Sequence, residues 1–283
     1  MKNKKIYFWP RWFIEAWPAD QKPKINKRLL GKLQSANIYL WEALNIYDDI
    51  IDQEGKNIKL PLANNNYRKF LEIYYRLNLP ASFYQTFNQI MTDLDRANHE
   101  EALFNHFRTN NGQIIYPKKF PIFTELSDLS RKSLALGLGP VALLYYQNQT
   151  KIITKTKLTL ELFRYTLAAK QLADDARDWF TDLTSGIITA ANLPILKAAQ
   201  KRCLVLNLKQ QPEIIHLLFV TEAATKISGD LKKLCHQARK SAATLGLKSD
   251  CRLLTEILGP IENGLRESAL FRAQWLKNVE IML

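Results

Sequence analysis

Cysteine is scarce in this chain, and the few cysteines present form no recognisable pattern. Cys203, Cys235 and Cys251 are an odd number of thiols without Cys-x-x-Cys spacing. The four histidines likewise show no metalloprotease spacing. These counts argue against a disulfide framework and a zinc site, and they favour reduced thiols in a cytoplasmic protein.

Glycine, proline and long apolar runs are also in short supply. With 10 glycines, 11 prolines and no low-complexity run in 283 residues, disorder is not indicated. The uncharged apolar runs fall short of the roughly 18 residues that span a bilayer. The chain opens with basic and then aromatic residues, but Pro10, Arg11 and Glu15 interrupt them before an export signal could form. We therefore expect neither export nor a membrane span.

Alternating strand patterns bounded by hairpin turns are missing as well. Instead, apolar residues recur at steps of three and four, as in Leu29, Leu33, Ala36 and Leu40 of a predicted helix over 25–53. The whole chain, residues 1–283, is predicted to form one all-α domain. We expect a helical bundle of about ten helices around a central cavity.

Helix boundaries are predicted from residues that break helices. A loop is expected over 109–121, and helices are expected over 123–146 and over about 158–183. The helix over 123–146 should be weakened or kinked at Gly137, Gly139 and Pro140. The other predicted breaks lie near Pro80, Pro194, Pro212, Gly246 and Pro260.

The N-terminal segment, residues 1–24, is rich in aromatic and basic residues and allows two interpretations. The first is an arm that packs on the body of the protein, because three prolines limit the length of any helix there. The second is an interfacial anchor with Trp9, Trp12, Phe13 and Trp17 at the level of lipid headgroups. The second interpretation adds peripheral membrane contact to a cytoplasmic protein.

Positive charge dominates the chain. The net charge is +13 although seven aspartates lie in two acidic clusters, so the remaining surface is strongly basic. This balance favours anionic partners such as phosphorylated small molecules or an anionic membrane surface. No motif for DNA or RNA binding is present, and we expect no nucleic-acid partner.

One acidic cluster occupies the stretch 171–183, with Asp174, Asp175, Asp178 and Asp182. On a helix, residues 174, 178 and 182 share one face, with Asp175 at its edge. Like charges at this spacing repel one another, and divalent cations with oxygen ligands are the usual counter-charge. A solvated acidic face is the alternative. We expect Asp182, one turn further out, to be solvated or paired with a surface lysine.

The second cluster, Asp48, Asp49 and Asp52, lies at the end of the predicted helix 25–53. If the two helices face each other across a cavity, their six carboxylates can bridge Mg²⁺ ions that hold a diphosphate. The rest of the cavity is predicted to be an apolar pocket for a long hydrocarbon chain, where an aromatic face can stabilise a carbocation. The predicted pocket residues are Trp41, Leu44, Leu40 and Leu167.

Together, the segments YDDIID, RKS and KQLADDARD resemble the class I trans-isoprenyl diphosphate synthase and terpene synthase superfamily. The resemblance implies three Mg²⁺ ions that ionise an allylic prenyl diphosphate, and commonly a homodimer. It implies that Lys132, Lys170 and Gln171 contact the diphosphate. The metal-binding and catalytic residues that it implies are Asp48, Asp49, Asp52, Asp174, Asp175 and Asp178.

The elements expected for a second diphosphate are incomplete. The family's Gly-Lys-Arg element has only Lys27, Arg28 and Lys32 as counterparts here, without the following Arg-Pro. The arginine pair expected after the first cluster is missing, which leaves Lys56 and Lys59 as basic substitutes. A lysine lacks the bidentate geometry of arginine, so the substitution is not neutral.

An intact ionisation site beside an incomplete second site favours a terpene-synthase-type enzyme, which ionises one allylic diphosphate and then cyclises or eliminates. Against this hypothesis, the Asn-Asp-x-x-Ser-x-x-x-Glu motif of common terpene cyclases is absent. The alternative is a prenyltransferase that extends the allylic diphosphate with isopentenyl diphosphate or another acceptor. A second alternative is a non-catalytic helical subunit of a heteromeric prenyltransferase.

Overall fold

The computed structural model describes residues 5–22, 24–52, 55–123, 125–147 and 151–282, with side chains described as far as residue 267. These ranges contain ten α-helices, several short 3₁₀ turns, one π turn and a two-stranded sheet. The α-helices are α1 (Trp9–Glu15), α2 (Lys27–Ile51), α3 (Leu60–Tyr75), α4 (Ala81–Phe104), α5 (Leu138–Tyr146), α6 (Ile152–Thr184), α7 (Leu193–Lys201), α8 (Pro212–Leu218), α9 (Ala224–Thr244) and α10 (Arg252–Met282). The prediction of an all-α fold is confirmed, whereas the single domain stays a prediction.

Helices α2 and α6 carry the two acidic clusters near their C-terminal ends. Helix α2 begins where the Asn26 side chain accepts a hydrogen bond of 2.8 Å from the backbone N–H of Arg28, which satisfies one of the free N–H groups of the first turn. Helix α6 ends just before Gly186, whose φ of +82° suits glycine. Helix α2 packs mainly on α3, and α6 packs mainly on α9.

The N-terminal arm is part of the hydrophobic core. Trp9, Trp12, Phe13 and Trp17 are each no more than 3% exposed, and the ring centroids of Trp9 and Phe163 on α6 lie 5.8 Å apart. This burial agrees with the arm interpretation. The four side chains that the anchor interpretation would place among lipid headgroups are therefore buried in protein, and membrane contact stays a prediction.

The expected helix over 123–146 is shorter than predicted. In the described part of this segment, Leu126–Ser130 and Leu134–Gly137 are 3₁₀ turns, and only Leu138–Tyr146 is α-helical. A Cβ atom on Gly137 would lie 2.9 Å from Cβ of Phe163, and one on Gly139 would lie 2.9 Å from Cγ of Pro10. The backbone thus approaches α6 and the arm closely, and this packing replaces the regular helix.

The predicted loop over 109–121 contains a β-hairpin that the sequence analysis missed. Strand β1 (Arg108–Asn110) pairs antiparallel with β2 (Gln113–Ile115). The two connecting residues, Asn111 and Gly112, have φ of +50° and +84°. Asn-Gly is the preferred sequence for such a two-residue turn, so this dipeptide was the signal for the hairpin.

The predicted breaks have different outcomes. Pro80 separates α3 from α4, and Pro194 and Pro212 lie in the first turns of α7 and α8, as proline permits. Pro260 instead lies inside α10, so that prediction is wrong. None of the described helices is long and apolar enough to cross a membrane.

Candidate active site

The first acidic cluster lies at the end of α2, beside a cavity. Asp48 and Asp52 line this cavity, whereas Asp49 is not among its lining residues. The backbone carbonyl of Asp49 instead accepts a hydrogen bond of 2.6 Å from the N–H of Gly55. A Cβ atom on Gly55 would lie 2.9 Å from Cβ of Asp49, so only glycine allows the chain to turn back this tightly after the helix.

The second acidic cluster lines the same cavity from α6. Asp174 accepts hydrogen bonds from Lys170 at 2.5 Å and from Arg177 at 3.0 Å. Asp175 is buried and accepts a hydrogen bond of 2.8 Å from Nε2 of Gln171. The partners lie three or four positions away on the same helix, where side chains meet. The α6 cluster is thus already held by its own helix.

Asp182 also lines this cavity, and the expectation that its side chain is solvated or paired with a surface lysine stays a prediction. It raises the pKa of both Asp52 and Asp175, and it therefore lies within electrostatic reach of both clusters. The carboxylates that line the acidic cavity, as we call it, are Asp48, Asp52, Glu100, Glu101, Asp128, Asp174, Asp175, Asp178 and Asp182.

Lys132 connects α2 to α4 at the edge of this cavity. Its ammonium group donates a hydrogen bond of 2.7 Å to Asp48 and hydrogen bonds of 2.6 and 2.7 Å to the two oxygens of Glu101. Burial alone lowers the pKa of Lys132, but Glu101 and Asp48 raise it overall. Burial raises the pKa of Glu101, and Lys132 opposes that shift. The lysine is therefore a stable cation between two carboxylates.

Two carboxyl groups of the acidic cavity hold a proton near neutral pH. Burial, together with the charges of Asp48, Glu101 and Asp182, raises the pKa of Asp52 to about 7, although Lys132 opposes the shift. Burial also raises the pKa of Asp175 to about 7, with Gln171 and Lys132 opposing the shift. A positive charge bound beside these carboxyl groups favours their ionised form and lowers their pKa. Binding of a cation would therefore stabilise the cluster.

The donor set fits Mg²⁺ held jointly with a phosphorylated ligand. In the described ranges, no three carboxylate, imidazole or thiol groups come close enough together to hold a metal ion unaided. Magnesium commonly binds through one or two carboxylates, several waters and substrate phosphate oxygens rather than a complete protein cage. Carboxylates from two helices around a cavity of about 670 Å³ suit that arrangement.

Several predicted site residues lie outside the acidic cavity. Leu40 and Leu167 are 0% and 3% exposed within the packed core, and Trp41 and Leu44 pack partly buried against it. None of these four lines the acidic cavity, and the prenyl pocket that they were expected to form stays a prediction. The exposed residues expected near a second diphosphate, which also do not line this cavity, are Lys27, Arg28, Lys32, Lys56 and Lys59.

The structure also places residues at this cavity that the sequence analysis missed. Glu101 holds Lys132, Arg131 donates a hydrogen bond of 2.7 Å to Glu100, and Lys119 lies on the cavity wall. The adjacent pair Glu100 and Glu101 late in a helix was a signal for an acidic contribution. Nothing in the sequence indicated that α4 would bring this pair to Lys132.

Comparisons with known proteins give structural matches only. No protein-family model matches the sequence, and no curated protein matches it significantly. Among solved structures, the chain is similar to heptaprenyl diphosphate synthase from Staphylococcus aureus, with 15% identity, a TM-score of 0.66 and coverage of 94% of this chain and 87% of that one. It is also similar to a decaprenyl diphosphate synthase from Rhodobacter capsulatus, with 10% identity, a TM-score of 0.67 and coverage of 93% and 85%.

A third similar structure is geranylgeranyl pyrophosphate synthetase from the archaeon Geoglobus acetivorans, with 14% identity, a TM-score of 0.62 and coverage of 92% and 84%. The chain has the isoprenoid synthase fold. The expected resemblance is thereby confirmed at the level of fold. In this isoprenoid synthase fold, α2 and α6 bring the two acidic clusters to one cavity.

Proposed function

We propose that the protein is a Mg²⁺-dependent prenyltransferase that ionises an allylic prenyl diphosphate and couples the prenyl group to a second substrate. The observation that carries this proposal is that Asp48, Asp52, Asp174, Asp175 and Lys132 surround one cavity. The three similar solved structures described above are named as synthases of prenyl diphosphates. Their names support prenyl transfer more than the cyclisation or elimination that the sequence favoured.

The carboxylates of the acidic clusters would hold Mg²⁺, which would supply positive charge to the diphosphate of the substrate. Three ions, as the sequence resemblance implies, would be held by the carboxylates of both clusters and would supply positive charge to the leaving diphosphate. Lys132 leaves Asp48 and Glu101 to donate hydrogen bonds to the same diphosphate, and Gln171 and Lys170 contact it from α6. These donors stabilise negative charge as the allylic C–O bond breaks.

The second substrate binds at two basic residues of the acidic cavity. Lys119 and Arg131 are among its lining residues, and Arg131 is held by Glu100. Guanidinium and ammonium groups recognise phosphate oxygens, so this pair can orient the diphosphate of an acceptor such as isopentenyl diphosphate. In this proposal Lys119 and Arg131 take the place of the exposed Lys56 and Lys59.

A second candidate function is cyclisation or elimination of a single allylic diphosphate. The observation that favours it is the exposure of Lys27, Arg28, Lys32, Lys56 and Lys59 away from the acidic cavity. If these residues bind no second diphosphate and Lys119 and Arg131 do not replace them, the ionised prenyl chain reacts with itself or loses a proton.

One assay separates the two functions. The purified protein receives Mg²⁺ with geranyl, farnesyl or geranylgeranyl diphosphate, each with and without isopentenyl diphosphate. Prenyl transfer is supported by a longer diphosphate that forms only when both substrates are present. Hydrocarbon or alcohol formed from the allylic diphosphate alone supports the second candidate. Absence of both turnover and Mg²⁺-dependent binding contradicts both functions.

The assignment of the acceptor site has its own test. Lys119→Ala should raise the KM for isopentenyl diphosphate without a comparable change in the KM for the allylic substrate. Lys59→Ala is the matched control, because this exposed lysine lies away from the acidic cavity. The acceptor site is misplaced if Lys59→Ala raises that KM and Lys119→Ala does not.

A further inference from the structure

A second cavity lies on another face of α6. It has a volume of about 550 Å³, within the range of about 300–1,000 Å³ that is usual for small-molecule sites. Its walls come from the N-terminal arm, α6, the π turn Phe219–Ala223, α9 and the first half of α10. We call it the apolar cavity.

The walls of the apolar cavity are shaped by hydrophobic and small side chains. Trp9 from the arm, Ile227 from α9 and Ile257 from α10 supply large apolar surfaces, whereas Ala173 and Ser228 leave room between them. The π turn adds Phe219 to the wall, and such turns are frequent at functional sites. Surfaces of this kind suit a flexible hydrocarbon chain.

The rim of the apolar cavity is charged. Lys170 and Arg177 flank it on α6, where both are paired with Asp174. Lys5 of the arm forms a salt bridge of 2.9 Å with Glu256 of α10 on the same rim. The rim thus carries three cations and two carboxylates, Asp174 and Glu256, and the one positive charge in excess complements an amphiphile with an anionic head.

The apolar cavity adjoins the acidic cavity. Lys170 and Asp174 line both, so their salt bridge is the boundary between the two spaces. A ligand with its hydrocarbon chain in one cavity can therefore place a phosphorylated head beside the other.

We propose that the apolar cavity binds the hydrocarbon chain of a prenyl diphosphate, with the diphosphate head at Lys170 and Arg177. The chain lies between α6, α9 and α10 against Trp9, Ile227 and Ile257. The choice of prenyl diphosphate as the ligand rests on the proposed function, whereas the apolar cavity and its charged rim do not. The apolar cavity thus holds the hydrocarbon chain of the substrate or product on the outer side of α6.

Binding is tested without turnover by fluorine NMR of protein labelled with fluorotryptophan, in the presence of a metal chelator. Farnesyl diphosphate is titrated in, and the resonances of Trp9 and Trp41 are assigned with Trp9→Phe and Trp41→Phe. Trp9 lines the apolar cavity and Trp41 does not. We expect a saturable shift of the Trp9 resonance with little change at Trp41. No saturable shift at Trp9, or a larger shift at Trp41, overturns the proposal.

Two further ligands separate the contributions of head and chain. Farnesol has the chain without the diphosphate, and it should shift the Trp9 resonance with an affinity at least about tenfold lower, a loss of about 1.4 kcal/mol. Inorganic diphosphate has the head without the chain and should leave the Trp9 resonance unchanged. If inorganic diphosphate produces the full shift, the apolar wall takes no part in binding.

A cavity-filling variant provides the matched test. Ser228→Phe adds a ring inside the apolar cavity and should weaken binding of farnesyl diphosphate at least about tenfold by occupying the space of the chain. Gln237→Phe adds the same ring at an exposed position of α9 that does not line the cavity and should bind normally. Normal binding by a folded Ser228→Phe protein overturns the proposal.

If Ser228→Phe fails to fold, as judged by circular dichroism and thermal unfolding, Arg177→Gln replaces it. This exposed side chain supplies head charge without filling any space, and its loss should weaken binding of farnesyl diphosphate but not of farnesol. Failure of this site is distinct from failure of the proposed function. Product formation without a Trp9 shift contradicts only the site, and a Trp9 shift without product contradicts only the prenyl transfer.

Discussion

The two halves of the acidic cavity are held in opposite ways. On α2, Asp48 is paired with Lys132, which lies 84 positions away in the chain and is also bound to Glu101. On α6, Asp174 is paired with Lys170 and Arg177, and Asp175 with Gln171, all from the same helix. One half therefore depends on packing between helices, whereas the other is prepared locally.

This difference indicates which carboxylates are positioned by their own helix before a ligand binds and which depend on contacts between helices. The α6 carboxylates keep their partners whenever the helix forms, because residues three and four apart meet on a helix. The α2 carboxylate Asp48 is paired with a half-buried lysine, which in the proposed function leaves it to reach a diphosphate. Lys132 is a structural ion-pair partner, and its proposed second role is that of a donor to the substrate; variants can separate these two roles.

The largest effect should come from removing one carboxylate from each half. Asp48→Asn and Asp174→Asn should each lower kcat/KM for the allylic substrate by about 10²–10³-fold, the usual range for loss of one preorganised electrostatic group. Both proteins should remain folded, because each loses a charge from a repulsive cluster. Steady-state kinetics with Mg²⁺ and circular dichroism check this. Full activity, or unfolding of both proteins, would mean that the clusters are structural.

The next largest effect concerns Lys132. Lys132→Met should remove activity and also lower the free energy of unfolding by about 1–3 kcal/mol, because Glu101 loses its buried partner. Urea denaturation measures this change. The double variant Lys132→Met with Glu101→Leu should recover stability, since no uncompensated buried charge remains, but it should stay inactive. Recovery of activity in the double variant would exclude Lys132 as a substrate ligand.

The pH dependence of stability tests the raised pKa values of the acidic cavity. A carboxyl group whose pKa is about 7 when folded and near 3.8 when unfolded favours the folded state most below pH 3.8. That contribution is lost as the pH rises through about 7. In the metal-free protein, Asp175→Asn should therefore gain stability relative to the unchanged protein as the pH rises from 4 to 8.

Thermal unfolding of both proteins across this range measures the difference. Comparing the two proteins cancels the titration of groups that they share, including the effect of the net charge of +13. Added Mg²⁺ with inorganic diphosphate should reduce the gain, because the ligands favour the ionised carboxylate. A gain that does not depend on pH would contradict a raised pKa at Asp175.

The smallest effect is expected for the exposed ion pair of α6. Arg177→Gln should change the free energy of unfolding by less than about 0.5 kcal/mol, because surface pairs on one helix contribute little. Arg76→Gln, which breaks a more exposed pair with Glu72 near the end of α3, is the control for loss of an arginine. If Arg177→Gln alone lowers the free energy of unfolding by more than about 1 kcal/mol, the carboxylates of α6 depend on more than contacts within their own helix.

Much of the fold and part of the site could be predicted because they depend on local spacing. The periodic apolar residues of α2 and the four-residue steps between aspartates on α6 identify helices and their faces. The contacts of Gln171 with Asp175 and of Lys170 with Asp174 are likewise set by a separation of four residues. The hairpin at Asn111 and Gly112 was equally local, and its Asn-Gly turn could have been recognised.

Other features depend on which helices pack together. The sequence by itself determined that two helices carry rows of carboxylates and that a lysine follows Arg131. Only the tertiary structure decided that Lys132 lies between Asp48 and Glu101, and that Asp182 lines the acidic cavity. It also decided that the N-terminal aromatics fill the space beside Phe163, while an apolar cavity remains on the outer side of α6. The reason is physical: contacts within a helix follow from its geometry, whereas contacts between helices depend on how all the side chains of the core pack at once.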